Sequence, residues 1–246
     1  MYGSAALRYT PFVSEGALPH GLTGRDEARG YFAWMAGLFG DALSGEVLDH
    51  GAGTGALCEH LLARARRVVA LEPEAVLFQG ISERFAREPR VVPLHGDIET
   101  YLQRYGAHSL DAVVSSNVLE HLADDVGCMQ RIHDALRPGG AFAVYVPARQ
   151  ELFGSLDAEV GHVRRYSKPQ LRERLEQAGF FVQWVRYGNL AGVLPWLVTG
   201  KVLKKASIAG GNLRFFDRFV LPVAARIESI VPMPYGLNVA ALARRQ

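Results

Sequence analysis

From about residue 46 the chain alternates short, continuous apolar runs with stretches of helical periodicity. The runs are GEVLDHG (45–51), RVVALE (67–72), VVPLHGD (91–97), LDAVVSSN (110–117) and AFAVYVP (141–147). A run without polar alternation suits a strand covered by helices on both sides, because neither face of its pleat meets water. Helices are expected between the runs at about 55–65, 74–87, 97–104 and 121–136. The last is stopped by Arg137-Pro138-Gly139-Gly140, a helix breaker followed by permissive glycines. This alternation predicts an α/β protein on a mainly parallel sheet.

Past the fifth run the rhythm changes. Residues 148–166 show no clear period and are expected to form a long loop, a feature that in compact domains often carries function. Ser167 is a suitable N-cap, with Pro169 in the first turn, for a helix that stops at Gly179. FFVQWVRYG (180–188) reads as a sixth strand and LNVAALARR (237–245) as the last. The intervening 189–236 is far longer than a hairpin needs, so it is expected to be an apolar helical insertion over one rim of the sheet. The chain reads as one domain: a helical cap (1–44), a core sheet (45–188 and 237–246) and that insertion. The aromatic segment 29–34 of the cap is expected to be a helix that walls a pocket or joins the core.

Composition mainly excludes. The chain has 246 residues, 27 Lys+Arg against 25 Asp+Glu, and 49% apolar residues, a globular profile without the basic excess of a nucleic-acid binder. Cys58 and Cys128 are too few for a disulfide scaffold or a cysteine-rich zinc site. With no secretory signal pattern and no run of about 18 apolar residues, a cytoplasmic location is expected. The charge is uneven, however. Lys201, Lys204, Lys205, Arg214 and Arg218 crowd the insertion beside Trp196 and Leu197. That pattern fits a weak membrane-surface contact through 189–236, or a lid packed on the sheet edge. The oligomeric state is left open.

The densest motif is Val47-Leu48-Asp49-His50-Gly51-Ala52-Gly53-Thr54-Gly55, where the first strand meets the first helix. Glycines there let the backbone turn sharply and approach a ligand, beyond the carboxyl ends of the strands where open α/β sheets bind. Glu72 ends the second strand, where a carboxylate can accept both hydroxyls of a ribose. Asp97 closes the third, placed to meet an adenine amino group. The loop is Gly-x-Gly-x-Gly and not the Gly-x-Gly-x-x-Gly of dinucleotide binders. Asp49 would repel a pyrophosphate and suits an ammonium group.

In these features the chain resembles the class I S-adenosylmethionine-dependent methyltransferases, within a type-11-like bacterial subgroup. VLDHGAGTG is similar to their first motif, Glu72 with Pro73 to the ribose-binding acid, and GDI (96–98) to the adenine contact made by Asp97 and Ile98. DAVVSSNVLEH (111–121) resembles the fourth motif, with Asn117 beneath the methionine portion, and LRPGGAFAVYVP (136–147) the turn and strand that follow. The resemblance implies a Rossmann-like sheet of seven strands with the last antiparallel. It also implies S-adenosyl-L-methionine held by Asp49, Gly51, Ala52, Gly53, Gly55, Glu72, Pro73, Asp97, Ile98 and Asn117. His50 departs from the family's apolar residue and is expected to be packed rather than catalytic.

Methyl transfer to a hydroxyl needs a base, and two histidines qualify. His121 follows Glu120 at the expected start of a helix. His162 lies in DAEVGHVRRY (157–166), where Arg164 and Arg165 could bind an anionic substrate group bidentately and Tyr166 adds a phenol. A Gly-His-x-Arg-Arg-Tyr block recurs in the resembling bacterial subgroup. In one branch of the family a Glu-His pair and a later histidine hold a divalent metal. That branch has a further acid where this chain has Asn117, so no metal is expected. The reading is O-methylation of a small-molecule, sugar or lipid-linked acceptor, as in natural-product or glycan biosynthesis. The alternatives are a cofactor-binding regulatory module without turnover and a nicotinamide-dependent reductase, the latter disfavoured by the glycine spacing and the lack of a Tyr-x-x-x-Lys pair.

Overall fold

Alternate residues of each apolar run go to opposite faces of a single sheet. The computed structural model describes residues 29–197, 216–231 and 233–246. Lys201, Lys204, Lys205 and Arg214 of the insertion and residues 1–28 of the expected cap lie outside the described residues. The strands are β1 (Gly45–His50), β2 (Ala65–Glu72), β3 (Val91–His95), β4 (Leu110–Ser116), β5 (Leu136–Pro147), β6 (Phe180–Gly188) and β7 (Asn238–Arg245). They pair in the order β3-β2-β1-β4-β5-β7-β6, with β7 antiparallel to both its neighbours. The expected seven-stranded mixed sheet is the one observed.

Val47, Val68, Ala112 and Ala141 face one core, under α1 (Arg29–Phe39), α2 (Ala56–Leu61) and α3 (Ala75–Arg84). Leu48, Val69, Val113 and Phe142 face the other, under α4 (Ile98–Tyr105), α5 (Asp125–Ala135) and α7 (Lys168–Gln177). Covering both faces explains why the strands read as unbroken apolar runs. The chain order reverses between β1 and β4, which opens a crevice at their carboxyl ends.

Local signals set most boundaries. Ser167 accepts from Gln170 N–H while Gln170 Oε1 accepts from Ser167 N–H, a reciprocal cap that starts α7. Asp97 accepts the Thr100 N–H at 3.0 Å and caps α4. One boundary differs from expectation. Glu120 and His121 do not begin a helix; they lie in a separate 3-10 turn, Leu119–His121. The helix starts at Asp125 because Asp124 caps it by accepting the Gly127 N–H at 2.9 Å. The 148–166 stretch is likewise not all loop: it holds a 3-10 turn, Gln150–Leu152, and a short α6 (Ser155–Glu159).

The insertion begins with α8 (Val193–Leu197) and ends with α9 (Leu221–Ile230), which a π-helical turn, Phe216–Val220, precedes. Two carboxylates tie it down. Asp217 accepts the Gly30 and Tyr31 N–H groups at the start of α1, and Glu228 accepts those of Asn189 and Leu190 just past β6. Among the described residues no helix is long and apolar enough to cross a membrane.

A buried knot joins α5 to α7 and the chain before it. Asp125, 1% exposed, meets the Tyr166 hydroxyl at 2.7 Å, Arg164 at 2.8 Å, and Arg174. Asp125→Ala leaves the buried Tyr166 hydroxyl and two half-buried guanidinium groups without their partner and is expected to cost about 3 kcal/mol in urea unfolding. A loss below about 1 kcal/mol would show that the knot is not a brace.

Candidate functional site

The glycine loop runs from the end of β1 into α2 under Leu71, whose carbonyl accepts the N–H groups of both Gly51 and Ala52 at 3.0 Å. Gly51, Gly53 and Gly55 have φ of 76°, 61° and 77°, the left-handed region that a side chain penalises. Each serves a different need. A Cβ at Gly51 would collide with Val118, and one at Gly55 with the Phe85 ring. A Cβ at Gly53 would meet nothing within 4 Å. Its backbone therefore faces open space at the mouth of the β1/β4 crevice.

Two acids frame the loop. Glu72 Oε2 accepts the Gly53 N–H at 2.8 Å and Oε1 accepts the Glu74 N–H at 2.9 Å, so the carboxylate sits against the loop at the end of β2. Asp49, 2% exposed on β1, accepts from the Cys58 thiol at 3.2 Å. Burial pushes both up to about 7, and the neutral donors only partly oppose it. Asp97, half-buried, is engaged through Oδ1 in capping α4, and Ile98 beside it is fully buried. Asn117 continues from β4 with φ of 54°, its N–H bonded to the Tyr145 carbonyl and its amide to Ser116. His50 is packed: its Nδ1 lies 3.1 Å from Ser115 Oγ, and burial lowers it to about 4.

Val118, in contact with the loop side, leads within three residues to the second half of the site. Glu120 is fully buried, and its carbonyl accepts the Val163 N–H. His162 stands between two acids, with Nδ1 2.7 Å from Asp157 Oδ1 and Nε2 3.7 Å from Glu120 Oε1. The His121 ring packs edge-on against it at 4.8 Å. Glu120, His121 and His162 each bring a potential ligand atom within 4.8 Å of the others, so the group could hold a proton or a cation. Sequence reasoning reached both histidines, and the fold brings them together.

It did not reach Asp157. This residue lies five positions before His162, a spacing that one helix would not pair. Here α6 ends at Glu159, Gly161 turns the chain at φ of 75°, and His162 comes back to Asp157. Asp157 also takes the Gly154 N–H and Arg165 Nε. Burial alone would raise it, but these bonds and the His162 contact hold it below the usual carboxylate range. The arginines and tyrosine of the same block have internal partners. Arg165, 3% exposed, also donates to the Ala148 carbonyl and lies over Trp196; Tyr166 is buried against Asp125. Arg164 pairs with Asp125 and donates to the Ala123 carbonyl while keeping partial exposure.

Residues 48–144 match the family described as a methyltransferase domain. Over that stretch the chain is similar to methyltransferase domains. A protein of Mycolicibacterium smegmatis, named as an S-adenosylmethionine-dependent methyltransferase, is 34% identical over 140 residues, covering 56% of this chain and 52% of that protein. An uncharacterised methyltransferase of Mycobacterium tuberculosis is 37% identical over 99 residues, 40% of this chain and 48% of its own length. The chain thus spans about half the length of the curated relatives it matches. Among solved structures, the YcgJ protein of Bacillus subtilis aligns with a TM-score of 0.58 at 13% identity, over 87% of this chain and 97% of that one. Phosphoethanolamine N-methyltransferase 2 of Haemonchus contortus, solved with S-adenosyl-L-methionine, gives 0.57 at 18% identity, over 82% and 49%. These two establish the fold alone.

A cluster of aromatic residues from α1 packs against β5. The Tyr31 and Tyr145 hydroxyls lie 3.1 Å apart, and the Trp34 ring meets Tyr145 edge-on at 6.0 Å. The 29–34 segment is helical as expected and packs on the core.

The raised values of Asp49 and Glu72 have a measurable consequence. Unfolded, they titrate near 3.8 and 4.5; folded, near 7. Across that window the unfolded chain has released protons that the folded domain keeps, so these two groups make stability fall as pH rises. Relative to a D49N/E72Q variant, the wild type should lose urea stability between about pH 5 and about pH 8. A pH-independent difference would contradict the assignment.

Proposed function

We propose that the chain is an S-adenosylmethionine-dependent methyltransferase that O-methylates a small-molecule, sugar or lipid-linked acceptor by direct in-line displacement. The observation that carries this reading is the pair of buried acids around the glycine loop, Asp49 and Glu72, whose observed donors are a thiol and backbone N–H groups. Two acids that burial raises to about 7, with no cation paired to them among the described residues, suit a ligand that brings an ammonium group and two ribose hydroxyls. The open space at Gly53 leaves room for such a ligand's backbone contact.

In this reading Glu72, with Pro73 beside it, holds the ribose, Asp49 the ammonium, Asp97 and Ile98 the adenine, and Asn117 the methionine portion. Gly51, Ala52, Gly53 and Gly55 form the turn that lets the ligand approach. The cofactor supplies a sulfonium methyl primed for displacement. His162 takes the acceptor's hydroxyl proton at Nε2, because its Nδ1 faces Asp157 at 2.7 Å. A proton held there faces Glu120, while Asp157 engages the opposite ring nitrogen. His121 supports the base through ring contact. Arg164 is the guanidinium offered to an anionic substrate group, while Arg165 and Tyr166 hold the block in place through Asp157 and Asp125.

S-adenosylhomocysteine should bind at micromolar affinity in titration calorimetry, and binding near neutral pH should release protons from Asp49 and Glu72. Glu72→Ala should weaken it by about 100-fold or more, through two lost charge-assisted hydrogen bonds. Tight NADH binding instead would sink the proposal. His162→Ala should lower kcat by about 10²–10⁴-fold with cofactor affinity unchanged. Saturable binding with no methyl transfer to any acceptor would mark a regulatory module.

The grouping of Glu120, His121 and His162 within 4.8 Å favours a second reading, a divalent cation that binds the acceptor oxygen. Activity that survives EDTA supports the histidine base. Activity lost to EDTA and restored by Mg²⁺ supports the cation.

A further inference from the structure

The insertion's helix α9 has two dissimilar sides. Leu221 and Glu228, seven residues apart and so on one side, face inward: Leu221 is buried, and Glu228 accepts the Asn189 and Leu190 N–H groups. The other side carries Val223, Ile227, Ile230 and Val231 at i, i+4, i+7 and i+8, exposed by 61%, 52%, 73% and 48%. Phe219 before the helix, Leu190 in the turn after β6 and Leu194 in α8 are also exposed. An exposed apolar stripe along one helix face marks a contact surface.

The charges say which kind. Asp217 and Glu228, the acids of the insertion, are both turned inward and bonded to backbone N–H groups. Arg218 and Arg226 are the charges that segment 216–231 leaves exposed, and Arg226 precedes Ile227 at the flank of the stripe. By sequence, residues 189–236 hold six cations against two acids, although the whole chain is only +2. An apolar stripe edged by cations and cleared of acids fits an anionic lipid surface, with the helix lying in the interfacial plane. A second copy fits less well, because a two-fold contact through this face would set Arg218 and Arg226 against their own kind.

We propose that the outward face of α9, formed by Val223, Ile227, Ile230 and Val231, rests on an anionic bilayer surface. At ten residues the helix is about 15 Å long, which suits weak, reversible attachment. The same helix is tied by Glu228 to the carboxyl end of β6, and the π-helical turn by Asp217 to α1, whose Tyr31 reaches Tyr145. The bilayer would therefore lie beside the rim that holds the candidate site. The attachment does not depend on the methyl-transfer reading, and its test is separate.

The test is flotation of the full chain with phosphatidylcholine vesicles, with and without about 30% phosphatidylglycerol. The chain should float with the anionic vesicles, stay down with phosphatidylcholine alone, and be released as salt rises to about 0.5 M. Arg218→Gln and Arg226→Gln should each weaken binding about fivefold. An Ile227→Glu/Ile230→Glu variant should not float, with its melting curve and S-adenosylhomocysteine affinity unchanged. Absence of flotation, equal flotation on neutral vesicles, or arginine variants that bind like the wild type would overturn the proposal. A dimer in light scattering that Ile227→Glu/Ile230→Glu dissolves would overturn it in favour of a second copy.

Discussion

Burying a carboxylate is costly unless something answers its charge, and this fold buries its acids along one rim. Asp49, Glu72, Glu120, Asp125 and Asp157 are the buried acids among the described residues; the first two lie at the carboxyl ends of β1 and β2, and the others follow β4 or β5. How each is answered organises the molecule. Asp125 has Arg164, Arg174 and the Tyr166 hydroxyl; Asp157 has Arg165 and His162; Glu120 faces His162. Asp49 and Glu72 have only a thiol and backbone N–H groups as observed donors, and burial outweighs these and raises both to about 7. The answered acids build the loop that carries His162. The two with no cation among the described residues frame the glycine loop.

The two halves touch because of a glycine. With no Cβ at Gly51, Val118 closes against the loop, and the chain from β4 can place Glu120 beside His162. The strand reversal between β1 and β4 provides the crevice, and α5 and α7, locked through Asp125, support its far wall. Rigid elements thus hold the polar groups, and the 148–166 segment gains order from buried ion pairs rather than from a regular period.

The strands were legible because both faces of the sheet are dry, which leaves unbroken apolar runs. The glycine loop, Glu72 and Asp97 were legible because strand ends and helix starts have local signatures, although Asp97 proves to cap α4 as well. The helix start at Asp125 was misplaced because Glu120 and His121 look like a first turn, while the Asp124 cap decides the matter. Arg165 and Tyr166 looked like substrate contacts because arginine and tyrosine beside a histidine suit that chemistry. Their partners lie in elements that sequence spacing does not connect.

The sequence by itself determined the alternating sheet, the loop and the identity of the groups able to bind or transfer a proton. Those features rest on interactions between near neighbours: strand pleat, helix cap, glycine turn. Tertiary structure alone decided which acids are answered by cations. Tyr166 and Arg174 reach Asp125 across 41 and 49 residues, and His162 reaches Glu120 only after β5 and α6 have been laid down. Charge compensation acts through space over a few ångströms, so its partners are set by the path of the chain and not by its order.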